Sequence, residues 1–123
     1  MENRKKNLYV LSLGHFAADI NQGALSAVLP FLIAARNYDY ATAALLVSVS
    51  NIFGSIVQPM FGFLADQKNR PWLMILGTSL AGFGMALTGI CRTFAGLCAA
   101  VIISGIGVAL FHPPGAQLVS RTS

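Results

Sequence analysis

Apolar residues dominate four long stretches of this chain, at residues 8–35, 41–65, 72–91 and 93–119. Each stretch reaches or exceeds the roughly 20 residues that a helix needs to cross a bilayer. None shows the sustained alternation of apolar and polar residues that is typical of β-strands. The pattern therefore predicts an all-α membrane protein with four transmembrane helices.

The connections between these stretches are short, at residues 36–40, at residues 66–71 and around Arg92. They are too short to hold a soluble domain, so the chain is expected to run up and down with consecutive helices as antiparallel neighbours. The third stretch contains nothing more polar than threonine and serine, and we expect it to be the helix most exposed to lipid.

Polar residues follow a regular spacing in the first two stretches. At about 100° per residue they form one stripe about 80° wide on each helix, and such a stripe is predicted to face water or protein. The two stripes are Ser12, His15, Asp19, Gln22 and Ser26 on the first helix, and Ser48, Asn51, Ser55, Gln58 and Gly62 on the second. Asn21 lies outside the first stripe and is predicted to face a different neighbour.

Asp19 lies about a dozen residues into its stretch, near the middle of the bilayer. An aspartate at this depth costs about 2.5–3.5 kcal/mol on insertion scales, so it is expected to face a cavity that carries solute or protons. His15 lies one turn earlier, and the pair forms either a structural contact or a proton-handling site. Gln22 on the same stripe and His112 in the fourth stretch complete the candidate cavity residues.

Composition and charge agree with a membrane protein. The chain of 123 residues is 55% hydrophobic and 10% charged, whereas soluble domains carry about 25% charged residues. With a cytoplasmic N-terminus, the cytoplasmic side holds six basic residues and the other side only Arg36 and Arg92. The positive-inside rule therefore predicts cytoplasmic termini, and the net charge of +4 reflects orientation rather than a nucleic-acid partner.

Several other features are expected to carry no chemistry. The basic start resembles a signal peptide, but the apolar run is long enough to span, so we expect it to be retained. Cys91 and Cys98 are interpreted as small buried residues at helix ends rather than as a disulfide. No metal, nucleophile–base or phosphate motif is present, so no metal, cofactor or enzymatic activity is expected.

Small residues and prolines predict where the helices pack and bend. Pro30 and Pro59 are expected to kink their helices, and residues 112–115, His-Pro-Pro-Gly, to break the fourth. Two sets of small residues at four-residue spacing predict close packing in lipid. They are Thr78, Gly82 and Ala86 in the third stretch, and Gly96, Ala100 and Ser104 in the fourth.

The connection GFLADQKNRP, residues 62–71, carries the most specific pattern. It resembles the signature loop of the major facilitator superfamily, Gly-x-x-x-Asp-Arg/Lys-x-Gly-Arg-Arg/Lys, and Gly62, Asp66 and Arg70 match it in identity and spacing. Gln67, Asn69 and Pro71 depart from it. Because Asp66 ends a predicted helix, where the helix dipole disfavours an anion, compensating donors or cations are expected nearby.

A narrower resemblance, to fosmidomycin-resistance-type efflux proteins, covers nearly the whole chain. It rests on "SLGHFAADINQGALSAVLPFL", "SIVQPMFGFLADQKNRPW" and "GIGVALFHPPGAQLVSR". In that group an acidic residue commonly follows the His-Pro pair, whereas this chain has Pro114.

The resemblance implies a fold of twelve helices in two halves, of which residues 1–123 supply the first four helices. It implies a proton-coupled exporter of a drug or metabolite in a bacterial inner membrane, with a small solute, protons, lipid and a missing C-terminal half as partners. Helices one and four would line the central cavity. The residues leave two alternatives open, a small four-helix dimeric multidrug transporter and a non-transporting membrane interaction module.

Overall fold

Four long helices make up the described part of the chain. A computed structural model describes residues 2–67 and 70–122, with side chains at residues 5–67 and 70–113. The helices are α1 (Glu2–Arg36), α2 (Tyr40–Gln67), α3 (Trp72–Ile90) and α4 (Phe94–Thr122). All four are long and apolar enough to cross a membrane. The prediction of an all-α fold with four transmembrane helices is confirmed.

Helix α4 lies at the centre of the packing and contacts each of the other three helices. Within the described residues, α2 and α3 do not touch each other although they are consecutive in sequence. The expectation that consecutive helices are neighbours is therefore wrong for this pair. Helix α4 separates them because it presents small residues on two faces, which allow closer backbone approach than α2 and α3 offer each other.

Glycines bring the backbones of α3 and α4 into direct contact. A Cβ atom built on Gly84 would lie 2.5 Å from the backbone nitrogen of Ser104 and 2.8 Å from the carbonyl oxygen of Ala100. A Cβ atom on Gly107 would overlap the backbone of Ala81. Since lipid supplies no hydrophobic drive between helices, this close van der Waals contact is a main stabilising element of the pair.

The small residues predicted as packing faces are used unequally. Ala100 and Ser104 of α4 are buried, as expected, but Ala86 of α3 is exposed and Gly82 faces Asn21 of α1. Helix α3 instead buries a neighbouring stripe, consisting of Leu73, Gly77, Ala81, Gly84 and Thr88. Within the described residues a larger share of α3 than of α1 or α2 is buried, and the expectation that α3 is the helix most exposed to lipid stays a prediction.

An apolar cluster joins α1, α2 and α4 at the end of the bundle that holds the connections 37–39 and 91–93. Its buried members are Leu25, Leu32, Leu46, Leu97 and Val101. Cys91 and Cys98 are free thiols that are half-buried and packed against this cluster. Burial of these apolar side chains therefore holds the C-terminal half of α1 against α2 and α4.

The ends of α1 and α3 are joined by Arg36. Its guanidinium donates a hydrogen bond to the carbonyl oxygen of Cys91, the C-cap residue of α3. A cation at a helix C-terminus is favoured by the helix dipole and satisfies a carbonyl that the helix leaves free. Arg36 thus connects α1 to α3, two helices that are separated in sequence by α2.

Helix α2 starts at a side-chain cap. The Oδ1 atom of Asp39 accepts the Thr42 N–H at 2.8 Å, as expected for an N-cap residue. Hydrogen bonding from the Thr42 side chain, and then from its backbone N–H, lowers the pKa of the exposed Asp39 carboxyl. Because the folded-state pKa is lowered, the cap stabilises the fold above the ordinary carboxyl pKa and loses this effect as the pH falls through the folded-state value.

Asn37 ends α1 in the left-handed region, with φ of 54°. Asparagine and glycine tolerate this conformation, whereas a β-branched residue does not. We expect Asn37→Val to lower the free energy of unfolding by about 1–2 kcal/mol, and Asn37→Gly to leave it nearly unchanged. Thermal unfolding of the two purified variants in detergent measures the difference. Equal melting temperatures for the two would contradict this account of the turn.

The prolines do not interrupt the helices. Helices α1 and α2 continue through Pro30 and Pro59, and the kinks expected there stay predictions. Helix α4 runs to Thr122, so the break predicted at residues 112–115 is wrong. Two adjacent prolines remove only two helical hydrogen bonds, and intramembrane helices tolerate this loss when neighbouring groups or local adjustments satisfy the freed carbonyls.

Candidate functional site

A cavity of about 430 Å³ lies between α1, α2 and α4. Residues of α1 line one side, residues of α2 another, and residues of α4 form the rest. The lining consists of Asn21, Gln22, Leu25 and Ser26 from α1, Val47, Ser50, Asn51, Gly54, Ser55 and Gln58 from α2, and Ser104, Gly105, Val108, Ala109 and His112 from α4. Two consecutive helices and α4, which follows much later in the chain, therefore share one cavity with a largely polar lining.

Close contact between α2 and α4 shapes this cavity. A Cβ atom on Gly105 would lie 2.5 Å from the carbonyl oxygen of Ser50 and 2.8 Å from its Oγ atom. Gly54 approaches Gly105 in the same way, with 3.2 Å between its built Cβ atom and the Gly105 carbonyl oxygen. Because these residues carry little or no side chain, they leave room that longer side chains elsewhere on α1 and α2 enclose.

The predicted polar stripes of α1 and α2 meet at this cavity. Gln22 and Ser26 come from the first stripe, and Asn51, Ser55 and Gln58 from the second. The remaining stripe residues extend along the same helix faces beyond the cavity. Apart from the half-buried Gly62, the stripe residues are exposed, so the stripes mark faces of α1 and α2 that this chain leaves open.

An ionisable cluster of three side chains lies at one end of the cavity. The Nε2 atom of His15 is 3.5 Å from the Oδ2 atom of Asp19, and the rings of His15 and His112 have their centroids 5.7 Å apart in an edge-on arrangement. The His15–Asp19 distance fits an ion pair when His15 is protonated but is too long for a hydrogen bond. Both side chains are more than half exposed, 58% for His15 and 53% for Asp19.

Phe111 holds the two histidines in place. Its ring is buried and lies 6.0 Å from the ring of His15, centroid to centroid. The ring reaches α1 because Gly14 has no side chain; a Cβ atom there would lie 3.2 Å from Phe111 Cε2. Successive residues of α1 and α4 therefore pair, Gly14 with Phe111 and His15 with His112.

The four candidate cavity residues fall into two groups. Gln22 and His112 line the cavity, whereas His15 and Asp19 do not line it and connect to it through His112. The sequence interpretation missed Asn21 as a lining residue because it lies off the stripe. Its Nδ2 atom donates to the carbonyl oxygen of Ala17 at 2.9 Å, and its Oδ1 atom lies beside Gly82 of α3.

Serines of α2 and α4 were also missed as lining residues. Ser104 is buried in the structure, 5% exposed, and Ser50 is half-buried. A serine inside an apolar stretch is a weak signal because its hydroxyl is easily satisfied by its own helix. The packing partner that turns these serines toward the cavity is visible only in three dimensions.

The matched residues of the signature loop lie at the opposite end of the bundle from the apolar cluster. Gly62 packs toward Pro113 of α4, Asp66 is exposed in the last turn of α2, and Arg70 is half-buried before α3. The Arg70 carbonyl oxygen accepts the Leu73 N–H at 3.1 Å. Lys68 and Asn69 lie outside the described residues.

Acidic, histidine and cysteine side chains do not assemble into a metal site in the described part of the chain, where no group of three such residues is suitably arranged. His15, Asp19 and His112 thus form a chain of contacts rather than a common ligand set.

Comparison with known proteins assigns the family. The family model of the Major Facilitator Superfamily matches residues 11–123. The chain belongs to the major facilitator superfamily. Its four helices are therefore membrane-embedded helices of a major facilitator fold, and the protein is an integral membrane protein. No solved structure matches the chain.

Curated relatives are transporters or resistance proteins of low to moderate identity. The chain is 23% identical over 111 residues to the uncharacterized MFS-type transporter YfnC of Bacillus subtilis, with 90% of this chain and 27% of the relative covered. It is 23% identical to the fosmidomycin resistance protein of Escherichia coli K12, with 94% and 29% covered. Multidrug resistance protein MdtG of Escherichia coli is 33% identical, with 73% and 23% covered. The chain thus spans less than a third of the length of these relatives.

Proposed function

We propose that this chain is the N-terminal part of a proton-coupled secondary transporter that exports a small drug or metabolite. The cavity between α1, α2 and α4 would form this part's share of the solute path. His15, Asp19 and His112 would carry the protons, Gln22 would contact solute, and the remaining part of the transporter would cover the open faces of α1 and α2. The names of the relatives, which include resistance proteins, support export as the direction.

One observation carries this proposal. His15 and His112 come from opposite ends of the chain, yet they meet beside Asp19 at the end of the polar cavity. Elsewhere in the described residues, Asp, Glu, His, Lys and Arg are confined to the helix ends and connections. Because ionisable groups in a membrane span are expensive, they usually mark ion or substrate paths.

Proton coupling is tested with the complete transporter in proteoliposomes that hold a pH gradient. Fosmidomycin, the compound in the name of one relative, is the first solute added. Its export is expected to dissipate the gradient and to stop when a protonophore removes it. Solute flux that is unaffected by the protonophore would contradict proton coupling. Accumulation by vesicles that hold only residues 1–123 would favour the small dimeric transporter instead.

We propose that the signature loop lies on the cytoplasmic side of a bacterial inner membrane. The bias of basic residues toward the side of the N-terminus supports this orientation. The matched residues Gly62, Asp66 and Arg70 then form a cytoplasmic turn, in which donors and cations near Asp66 offset the helix dipole.

Orientation is tested with single cysteines at two exposed positions, Gln67→Cys at the end of α2 and Tyr40→Cys at its start. The native thiols are first removed as Cys91→Ala and Cys98→Ala. An impermeant maleimide added to intact cells is expected to label position 40 and not position 67, with both labelled after permeabilisation. Labelling of position 67 alone on intact cells would reverse the orientation.

A further inference from the structure

Three of the four amide side chains that line the cavity have no hydrogen-bond partner in the described part of the chain. Gln22, Asn51 and Gln58 make no side-chain hydrogen bond in the described residues, whereas Asn21 is bonded to its own helix through Ala17. Each free amide offers two donors and a carbonyl acceptor. All three side chains are exposed and line the cavity, so their donors and acceptors are open to a solute that enters it.

Two residues of the lining also carry a backbone carbonyl without a helical partner. Pro30 and Pro59 have no N–H group, so the carbonyl oxygens of Ser26 and Ser55, four residues earlier in their helices, receive no helical hydrogen bond. Both serines line the cavity. The prolines therefore add backbone acceptors to helix segments that already carry amides and hydroxyls.

Fixed charges are absent from the described lining. It contains no Asp, Glu, Lys or Arg, and His112 is its titratable member, at the end beside His15. The carboxylate of Asp19 is in contact with His15 and lies outside the lining. The site therefore has two zones, a neutral zone of amides and hydroxyls and an ionisable zone at one end.

This inference rests on the proposed transport function and names its solute class. We propose that the neutral zone recognises an uncharged, hydroxyl-rich solute through the amides of Gln22, Asn51 and Gln58. A hydroxyl both donates and accepts, so it matches amides and backbone carbonyls together. A fully ionised phosphate or carboxylate group offers acceptors only, so it would leave the carbonyls unpaired, and the described lining has no fixed cation to offset its charge. A quaternary cation offers no donor at all.

The test measures binding of three probes to the purified complete transporter by titration calorimetry. They are 4-nitrophenyl β-glucoside, which is neutral and hydroxyl-rich, tetraphenylphosphonium as a cation and 4-nitrophenyl phosphate as an anion that shares the aromatic group of the glucoside. We expect the glucoside to bind at least about tenfold more tightly than either charged probe, a difference of about 1.4 kcal/mol. No glucoside binding, or tighter binding of a charged probe, would overturn the proposal.

Variants of the amides test the contact itself. Asn51→Ala and Gln58→Ala should each weaken glucoside binding about 3- to 10-fold, as expected for one lost hydrogen bond. The control is Ser48→Ala on the same helix, whose hydroxyl is bonded to Ala44 and does not line the cavity. Unchanged affinity in both amide variants would refute the assignment.

A charge-altering variant keeps the test independent of folding defects. Asn51→Asp preserves the side-chain shape and should create binding of tetraphenylphosphonium while weakening that of the glucoside. Proton-driven flux is measured on the same preparations. Loss of proton coupling with intact glucoside binding counts against the transport mechanism alone, whereas intact coupling without glucoside binding counts against the solute class alone.

Discussion

Asp19→Asn in the complete transporter is expected to reduce gradient-driven solute export to the level of vesicles without protein. Asparagine keeps the shape of the side chain but cannot release a proton, and it removes the anion that faces His15 at 3.5 Å. The variant should insert and fold normally, because an amide is less costly in the membrane than a carboxylate. Exchange of solute between the two sides, which needs no net proton movement, should persist.

Two further variants, Asp39→Asn and Asp19→Leu, serve as controls for Asp19→Asn. Asp39→Asn changes a carboxylate in the exposed connection before α2 and should export normally, since asparagine also caps a helix. Asp19→Leu separates a structural role from a proton role. If Asp19 only supports His15, the asparagine variant exports against a gradient and the leucine variant misfolds. Normal gradient-driven export by Asp19→Asn therefore excludes the proton role.

Gly107→Leu is expected to prevent the assembly of α3 with α4. Even a methyl group at this position would overlap the backbone of Ala81, and neighbouring backbone atoms cannot move aside as a flexible side chain can. Gly107→Ala should therefore cost about 1–3 kcal/mol, the usual range for overpacking, and leucine more. The yield of monodisperse protein in detergent and its melting temperature give the measurement.

Glycines without neighbours provide the matched control for Gly107. A Cβ atom on Gly23 of α1 or Gly89 of α3 would meet nothing within 4 Å. Because alanine favours a helix over glycine by about 1 kcal/mol, Gly23→Ala and Gly89→Ala should be neutral or slightly stabilising. A similar loss of stability in all three alanine variants would show that backbone approach at Gly107 is not the cause.

The sequence was sufficient to predict the four helices, because the bilayer constrains each membrane-spanning segment separately. A span needs about 20 apolar residues and must satisfy its own backbone hydrogen bonds, so length and hydropathy determine α1 to α4. The polar stripes could also be predicted, because residues three or four positions apart lie on the same face of a helix. Gln22 and Gln58 are therefore found on the cavity lining.

Which helices pack against each other, and through which faces, could be seen only in the tertiary structure. The stripe of Thr78, Gly82 and Ala86 has the same spacing as the stripe that packs against α4, and periodicity cannot rank two faces made of similar small residues. The approach of Gly84 to Ser104 and of Gly107 to Ala81 selects one face. Helix α4 separates α2 from α3 for a similar reason, because its small residues allow close backbone approach on two faces.

The sequence by itself determined the membrane class, the four spans, the polar stripes and the pattern of the signature loop, because each depends on local composition and spacing. Only the tertiary structure decided that α4 continues through its two prolines, that His15 meets His112, and that Asn21, Ser50 and Ser104 join the cavity lining. These outcomes depend on which backbones can approach most closely. That approach is a property of two surfaces together and is not encoded in either helix alone.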